Sequence, residues 1–346
     1  MHTNVYSSSL IDLSELICTP AIFYKLLTNV GPTLRILRWR GLILKLGNII
    51  ERVAESCSQL QELQVRSCFV SEKQYDETGA LDVRGGYLPK SFFDQMSAAK
   101  PLSINRLTLS GIHELSMAQL ARILCRSPKL IDLELENCIL DIVPVTYVLS
   151  YSCPVLESLR YSRHRYAQKA TFAPLMKHVM PGRRRSWREL TVAKAPTATD
   201  GLIQTLLHKT DLRRLERIDL TGNTGLSDQA LQGVLINKLL HLRTLCLGGC
   251  TGLSERMVLD ILKASPQLLH ADFSGMAMVT DAVVEQLTQC TKLRTLNLEG
   301  CTSISNQSAR RLVDVLHNTL NDVNVNYASI SVETVGYIMS KVKLAI

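Results

Sequence analysis

Cysteine, histidine and arginine are the residue types in this sequence whose spacing could support chemistry. Cys246 and Cys250 are separated by three residues, a spacing found in some metal sites, and eight histidines are scattered along the chain. Acid–base catalysis requires groups that converge within hydrogen-bond reach. The sequence contains no Gly-x-Ser-x-Gly, His-Glu-x-x-His or Gly-x4-Gly-Lys motif. These patterns predict a protein that is not an enzyme and that holds neither metal nor cofactor.

The cysteines instead follow a repeat. Leu293–Cys301 (LRTLNLEGC) reproduces the spacing of Leu242–Cys250 (LRTLCLGGC), with aliphatic residues at the first, fourth and sixth places and cysteine at the ninth. Eleven such units are separated by steps of 26, 44, 26, 26, 31, 28, 27, 26, 25 and 27 residues. Eight of the ten steps lie between 25 and 28, so the period is regular. The first-place residues are Leu34, Leu60, Ile104, Leu130, Leu156, Trp187, Leu215, Leu242, Leu268, Leu293 and Leu320.

Each unit predicts one strand followed by one helix. The fourth and sixth places alternate with polar residues, which is the period of a strand with one buried face. Helix N-cap signals follow, such as Ser254 before ERMVLDIL and Thr280 before DAVVEQL. No single unit can bury its apolar face, so the units must stack. We expect an α/β solenoid shaped as a horseshoe, with a parallel sheet on the concave face and helices on the convex face.

The unit resembles the cysteine-containing leucine-rich repeat that follows the F-box in F-box/leucine-rich-repeat substrate receptors of ubiquitin ligases. The best matching segments are Leu242–Leu262 and Leu293–Leu316. The resemblance covers residues 34–346, which it identifies as a leucine-rich-repeat domain of about 11 repeats. Residues 1–33 carry no recognisable F-box and are expected to form an N-terminal cap or a degenerate repeat. The ninth-place cysteines are Cys68, Cys138, Cys250 and Cys301.

The cysteine positions also bear on the compartment. Seven of the ten cysteines occupy two repeating positions, the ninth place and the third residue before a first-place leucine. A repeated position suits a small buried apolar side chain, whereas a disulfide framework requires pairs. Free thiols favour a reducing intracellular compartment, first the cytoplasm, with a cytoskeletal, ciliary or organellar assembly as alternatives. Similar repeats occur in ciliary axoneme subunits. No run of 18 uncharged apolar residues is present, so no membrane span is expected.

Two insertions interrupt the regular period. The longer step contains a polar segment at about 69–90, which predicts a surface loop. The second insertion, at about 160–188, holds nine Lys and Arg residues and no Asp or Glu, whereas the whole chain carries a net charge of +8. This basic segment is expected to contact RNA phosphates or an acidic protein tail, or else to be a solvated loop. Its candidate contact residues are Arg163, Arg165, Lys169, Lys177, Arg183, Arg184, Arg185 and Arg188.

The third, fifth and seventh places of each unit are expected to form the concave surface, because they alternate with the buried places. The side chains there are polar and of mixed charge, which suits reversible protein binding, although any strand face open to water is polar. The candidate protein-binding residues are Arg38, Arg40, Gln64, Arg66, Arg106, Asp132, Glu134, Glu136, Arg160, Asp219, His270, Asp272, Asn297 and Glu299.

The sequence therefore favours a non-enzymatic protein-binding scaffold or adaptor that is a subunit of a larger assembly. A substrate-recognition component of a ubiquitin ligase is the alternative that the resemblance implies. A structural subunit that contacts RNA or an acidic cytoskeletal polymer through the basic segment is a second alternative. Neither a membrane nor a small-molecule substrate is expected as a partner.

Overall fold

The structure is a computed structural model of the 346-residue chain. It describes residues 6–7, 9–13, 20–40, 52–53, 55–66, 100–112, 115, 117–138, 140–163, 186–195, 197–207, 211–235 and 239–342. The chain divides into two compact units, Met1–Arg185 (unit 1) and Ser186–Ile346 (unit 2). The insertion expected at about 69–90 lies outside the described residues.

Unit 1 is a stack of parallel strands connected by helices. Strands β2 to β7 pair in parallel with the next strand along the chain, and β1 pairs antiparallel with β2. The strands are β1 (Tyr6–Ser7), β2 (Leu10–Leu13), β3 (Ile36–Arg40), β4 (Glu62–Arg66), β5 (Arg106–Ser110), β6 (Asp132–Glu136) and β7 (Ser158–Ser162). The helices are α1 (Pro20–Val30), α2 (Met117–Cys125) and α3 (Ile142–Ser152), and a 3-10 turn covers Gly31–Thr33.

Unit 2 has the same alternation with shorter strands. Strands β8 to β13 pair in parallel in chain order. The strands are β8 (Glu189–Ala193), β9 (Arg217–Asp219), β10 (Thr244–Cys246), β11 (His270–Asp272), β12 (Thr295–Asn297) and β13 (Asp322–Asn324). The helices are α4 (Asp200–Leu207), α5 (Asp228–Leu235), α6 (Glu255–Ala264), α7 (Asp281–Leu287), α8 (Asn306–Leu316) and α9 (Val332–Lys341).

The core of each unit consists of the aliphatic places that the repeat predicts. Every first-, fourth- and sixth-place residue is buried. Four of these places hold large aromatic residues, Trp39, Tyr161, Trp187 and Phe273. Tyr161 Oη donates to the Leu140 carbonyl (2.5 Å) and Trp187 Nε1 donates to the Leu206 carbonyl (2.8 Å), whereas the buried Trp39 Nε1 has no acceptor among the residues that the structure describes. The α/β leucine-rich-repeat architecture is therefore confirmed in both units.

The helix starts follow the predicted caps. The side chains of Ser254, Thr280 and Ser305 each accept a hydrogen bond from a backbone N–H in the first turn of the following helix. Each cap satisfies a donor that the helix leaves unpaired. The turn between strand and helix begins at the eighth place, which has a positive φ in nine described repeats, a conformation that favours glycine. These residues are Gly111, Asn137, Arg163, Lys194, Gly222, Gly249, Gly275, Gly300 and Tyr327.

Candidate functional site

The polar strand face of unit 1 is a set of in-register rows. The fifth-place residues lie side by side from β2 to β7, and the third- and seventh-place residues form parallel rows on either side of them. Neighbouring residues within a row belong to adjacent strands about 4.8 Å apart, so long side chains reach across to the next strand. The fifth-place row is Asp12, Arg38, Gln64, Thr108, Glu134 and Arg160.

Five side chains, two from the fifth-place row and three from the third-place row, form a continuous chain of ion pairs with alternating charge. Arg38 contacts Asp12 (3.4 Å) and Glu62 (2.9 Å). Arg106 contacts Glu62 (3.4 Å) and Asp132 (3.3 Å). The carboxylates are the more covered partners, since the side chains of Glu62 and Asp132 are 14% and 9% exposed whereas that of Arg106 is 50% exposed. The hydrogen bond to Glu62 raises the pKa of Arg38 above its ordinary value. The chain therefore joins five consecutive strands.

The remaining carboxylates of β6 are also engaged by arginines. Arg160 Nε and Nη2 both donate to one oxygen of Glu134 at 3.3 Å. Arg163 contacts Glu136 at 3.2 Å, and Glu136 also accepts from the Ser110 hydroxyl (3.2 Å). Arginines of neighbouring repeats thus neutralise the three acidic side chains along β6, which reduces the attraction of β6 for a cationic partner.

Positive charge in excess remains at the seventh place of β3 and β4. Arg40 and Arg66 are exposed and lie directly opposite each other in the sheet register. With the Gln64 amide oriented so that its oxygen faces Arg66, that oxygen accepts from Arg66 Nε (2.7 Å) and Nη2 (2.8 Å). Within the described part of unit 1 neither guanidinium contacts a carboxylate. Like charges at opposed positions are unfavourable, so this pair favours an anionic neighbour.

The strand face of unit 2 uses its fifth-place residues differently. The Oδ1 atoms of Asp219, Asp272, Asn297 and Asn324 accept the backbone N–H two residues further on, at 3.2, 2.9, 3.1 and 3.1 Å. This local hydrogen bond turns the chain away from the sheet. The four strands that carry this bond, β9 and β11 to β13, each end after three residues. One oxygen or amide group of each side chain is left for other contacts.

Further contacts on the unit 2 face are few. Arg217 Nη2 donates to Asp219 (3.0 Å) within one strand, and the Asn324 amide donates to Glu299 (3.0 Å). His270 Nδ1 lies 2.8 Å from the Thr295 hydroxyl. Burial, with added repulsion from Arg294 and Arg217, lowers the pKa of His270, so its imidazole is neutral at pH 7.

The two cysteines with metal-like spacing face different surroundings, as the strand alternation predicts. Cys246 is half-buried on the strand face between Asp219 and Asp272. Cys250 is buried and donates to the Leu220 carbonyl at 3.0 Å. Burial, and next the Asp219 carboxylate, raises the pKa of Cys246 to about 12, and burial raises the pKa of Cys250 to about 11. The eight cysteines that the structure describes are free thiols.

Sequence inspection missed a ladder at the helix starts of unit 2. The first residue of each helix from α4 to α8 accepts hydrogen bonds from the Ser or Thr cap of the next repeat. Asp200 accepts from Ser227 N (2.8 Å), and Asp228 accepts from Ser254 N (2.7 Å) and Oγ (2.6 Å). The sequence does contain a signal for this ladder, since an acidic residue recurs directly after the Ser or Thr cap of successive helices. The later pairs are Glu255 with Thr280, Asp281 with Ser305, and Asn306 with Ser331.

A second inter-repeat contact explains the ninth-place cysteines. Cys301 Sγ donates to the sixth-place carbonyl of the preceding repeat, that of Phe273, at 3.2 Å, as Cys250 does to Leu220. Asn223 fills the same place and donates to the carbonyls of Val192 (2.6 Å) and Leu220 (2.7 Å). The ninth place therefore supplies a buried donor between repeats, which assigns these residues to the scaffold.

Most of the basic segment lies outside the described residues, including Arg165, Lys169, Lys177, Arg183, Arg184 and Arg185. Of the two candidates that are described, Arg163 contacts Glu136 and Arg188 contacts Glu189 (3.6 Å). Across the described ranges, no three His, Cys, Asp or Glu side chains are grouped so that they could hold a metal ion. None of the helices in those ranges has the length and apolar character needed to cross a membrane.

Comparison with known proteins supports the fold. No family model matches the chain. A chain in the crystal structure of the yeast Rad7 and Elc1 complex matches with a TM-score of 0.57 and 15% sequence identity, over 92% of this chain and 70% of that chain. An identity this low shows a shared fold alone. The protein is similar to that chain in its repeat architecture.

Proposed function

We propose that the protein is a non-enzymatic adaptor that binds another protein through the polar strand faces of its leucine-rich repeats. The observation that carries this proposal is the register of those faces. Side chains at equivalent places stand in rows across consecutive strands, and several of them, including Arg40, Arg66 and Asp272, retain hydrogen-bonding groups open to solvent. Rows of this kind match an extended partner surface.

The arrangement supports binding better than catalysis. Five steps between six strands span about 24 Å in each unit, and the side chains point away from the sheet along this length. Catalysis requires an acid, a base or a nucleophile to converge on one reacting atom. The charged groups of unit 1, such as Arg106, are instead paired along the rows. A partner recognised by such a surface contributes many spaced contacts.

The two units offer contacts of different charge. In unit 1 the exposed guanidinium groups of Arg40 and Arg66 favour carboxylates. In unit 2 the carboxylates of Asp272 and Glu299, together with the Asn297 amide, favour basic or amide side chains. Together with the other candidate strand-face residues, these form the proposed contact surface.

Recovery of the native partner tests the proposal. The tagged full chain is isolated from its own cells, and the proteins that accompany it are quantified for each variant. Arg40→Glu with Arg66→Glu, and separately Asp272→Lys with Glu299→Lys, should reduce recovery of the same partner at least tenfold. Arg256→Glu is the matched control, because Arg256 is 92% exposed on helix α6 and lies off the strand face. Unchanged recovery with both face variants would refute the proposal.

A ubiquitin-ligase substrate receptor is a more specific form of this function. It is supported by the resemblance of the repeats to those of F-box/leucine-rich-repeat proteins and by the fold shared with a chain of the Rad7 and Elc1 complex. Pull-down with a Skp1-type adaptor distinguishes it. Binding supports this form, whereas failure to bind removes it and leaves the adaptor function standing.

Contact with RNA or an acidic protein tail through the basic segment is a separate proposal. It rests on the local excess of positive charge in the sequence. Changing Arg183, Arg184 and Arg185 together to Glu should abolish incorporation into the native assembly while the far-ultraviolet circular dichroism stays unchanged. Normal incorporation of this variant would contradict the proposal.

A further inference from the structure

The last described repeat of unit 2 departs from the others at two positions. Its eighth place is Tyr327, which is 84% exposed and has a φ of 57°, whereas the four preceding repeats have glycine there. The first residue of its helix is Val332, which is 86% exposed, whereas the preceding helices begin with Asp, Glu or Asn. In the other repeats both positions bond to the next repeat, as Gly300 N does to the Asn326 carbonyl (2.8 Å). In this repeat the two positions hold exposed side chains, one aromatic and one apolar.

Strand β13 also has one edge with unpaired backbone groups. Asp322 N–H donates to the Arg294 carbonyl just before β12 (3.2 Å), and the Asn324 carbonyl accepts from Leu298 N–H just after β12 (2.8 Å), so these two residues turn their backbone groups towards β12. Strand alternation directs the backbone groups of Val323 and the N–H of Val325 to the opposite edge. Among the residues that the structure describes, no strand pairs with this edge. The segment 321–327 contains neither lysine nor proline, the residues that commonly block strand addition.

We propose that β13 pairs antiparallel with β13 of a second copy of this chain, about a two-fold axis at Val323. The edge is self-complementary in this register. The N–H and C=O of Val323 bond to those of Val323 in the second copy, and each Val325 N–H reaches the Asn321 carbonyl of the other copy. Tyr327 and Val332 border the paired edge and are covered by it.

The side chains on the strand face fit the same register. Asp322 is placed opposite Asn324 of the second copy, at the close spacing of a non-hydrogen-bonded pair. The Asn324 amide already donates one proton to Glu299 (3.0 Å) and has a second proton for the incoming carboxylate. No carboxylate is placed directly opposite another. The side chains of Asp322 and Asn324 therefore favour the antiparallel pairing of the two β13 strands.

A head-to-tail arrangement of copies is less compatible with the structure. It requires β13 of one copy to dock on β2 of another as if it were the preceding repeat. In unit 1 the free edge of β2 is covered by β1, which pairs with it through Tyr6 and Ser7. Val332 also lacks the carboxylate that the Ser or Thr cap of a following repeat would need. Pairing of β13 with β13 of a second copy avoids both obstacles.

Sedimentation velocity of the full chain tests the proposal without any other protein. From roughly 1 to 300 µM the weight-average sedimentation coefficient should rise from that of a monomer towards that of a dimer. A monomer across this whole range would overturn the proposal. Because self-association needs no partner, its failure leaves the adaptor function standing, and the adaptor function can fail while the dimer forms.

Two substitutions separate an interface role from a structural one. Tyr327→Gly should weaken the dimer by roughly tenfold and yet raise the midpoint of thermal unfolding at micromolar concentration by about 1 °C, because glycine tolerates the positive φ. Val332→Asp should also weaken the dimer. Val315→Asp is the matched control, since Val315 is 51% exposed on helix α8 and lies away from the β13 edge. Association unchanged in Tyr327→Gly and Val332→Asp would overturn the proposal.

The register has its own test. Asp322→Cys and Asn324→Cys are prepared separately, mixed and oxidised mildly. The mixture should form a disulfide-linked dimer through positions 322 and 324, while neither variant alone should do so at the same rate. Equal cross-linking of each variant with itself would contradict the antiparallel register.

Discussion

Unit 1 links its repeats across the strand face, whereas unit 2 links them at the starts of its helices. In unit 1 the links are ion pairs, such as those of Arg106 with Glu62 and Asp132. In unit 2 they are hydrogen bonds from a cap to a carboxylate, such as those from Ser254 to Asp228. Both units bury the same aliphatic places. The leucine pattern therefore accommodates two different polar schemes.

The fifth place differs between the units. In unit 2 four of the fifth-place residues are Asp or Asn, and each accepts the N–H two residues on; β9 and β11 to β13, which carry them, end after three residues, as β10 also does with Cys246 at that place. In unit 1 none of the fifth-place residues of β3 to β7 is Asp or Asn, and these strands run for five residues. A longer strand carries an additional row of side chains. Unit 1 therefore has more rows of polar side chains, and its ion pairs form between those side chains.

The difference bears on binding. A partner on unit 1 must compete with ion pairs that already engage most of its charges, whereas Arg40 and Arg66 are available without that cost. A partner on unit 2 meets Asp272 and Asn297, each of which has a second polar group besides the oxygen that forms the turn. We therefore expect charge reversal on the unit 1 ion pairs to change stability first, and charge reversal on unit 2 to change binding first.

The largest expected effect concerns the buried donor of unit 2. Asn223→Ala removes the amide that donates to the carbonyls of Val192 and Leu220 and leaves them buried without that donor. We expect the free energy of unfolding to fall by about 3 kcal/mol. Asn223→Cys should cost less, because Cys250 performs the same task one repeat later. Chemical denaturation measures both. Equal losses for the two variants would contradict this role for the ninth place.

The helix ladder should be the next most sensitive feature. Asp228→Ala removes the acceptor for both groups of Ser254, and the expected loss is about 2 kcal/mol. Asp228→Asn is the matched control, because Asn306 accepts from Ser331 N in the same geometry (2.7 Å) and so should cost less. Hydrogen exchange of peptides from α5 and α6 localises the effect. Faster exchange confined to unit 1 would be incompatible with this assignment.

The ion-pair chain of unit 1 should contribute less per residue. Arg106→Leu leaves Glu62 and Asp132 without their shared partner, and we expect a loss of about 1 kcal/mol at low salt, smaller at high salt. Arg311→Leu is the control, since Arg311 is 65% exposed and pairs with a half-exposed Glu285. Its loss should stay below about 0.5 kcal/mol. A salt-independent loss in Arg106→Leu would argue against an electrostatic origin.

The eighth place should have a still smaller effect. Lys194 has a φ of 50° in unit 2, and Asn137 has the same φ in unit 1. Lys194→Gly should stabilise the protein by about 0.5 kcal/mol, since glycine relieves the left-handed conformation but gains freedom in the unfolded chain. Asn137→Gly should change little, because asparagine tolerates this region. The denaturant midpoints of unfolding, compared with that of the parent, measure the change in stability of each variant. A larger gain at Asn137 would show that φ is not the cause.

The fold was predictable from the sequence because the repeat acts through burial. Aliphatic residues at three fixed places identify the strand and its buried face, as Leu245 and Leu247 illustrate. Helix caps such as Ser254 were predictable because the side chain bonds to backbone within its own turn. Such local or periodic signals survive in a single sequence.

The pairing of the polar residues was not predictable in the same way. The sequence indicates that Arg106 and Asp132 share a strand face, but not that they bond, because their contact depends on register and rotamer. Asp132, Glu134 and Glu136 stay candidates for partner contacts, but the sequence did not show that arginines of neighbouring repeats engage all three. The fifth-place Asp272 looked like a binding residue and also ends its strand. A polar residue can fill both roles, and sequence alone does not separate them.

The smallest expected effect is a pH dependence that belongs to unit 2. Burial lowers the pKa of His270, with repulsion from Arg294 and then Arg217 adding to the shift, so the unfolded chain binds the His270 proton more tightly than the folded one. Stability should therefore be lost as the pH falls through the unfolded value of about 6.5. His270→Gln removes this contribution, so the variant should lose less stability than the parent between pH 7.5 and pH 5.5, both values being chosen to bracket about 6.5. Denaturation midpoints at the two pH values provide the measurement. Parallel losses would mean that neither burial nor repulsion from Arg294 and Arg217 lowers the pKa of His270 in the folded chain.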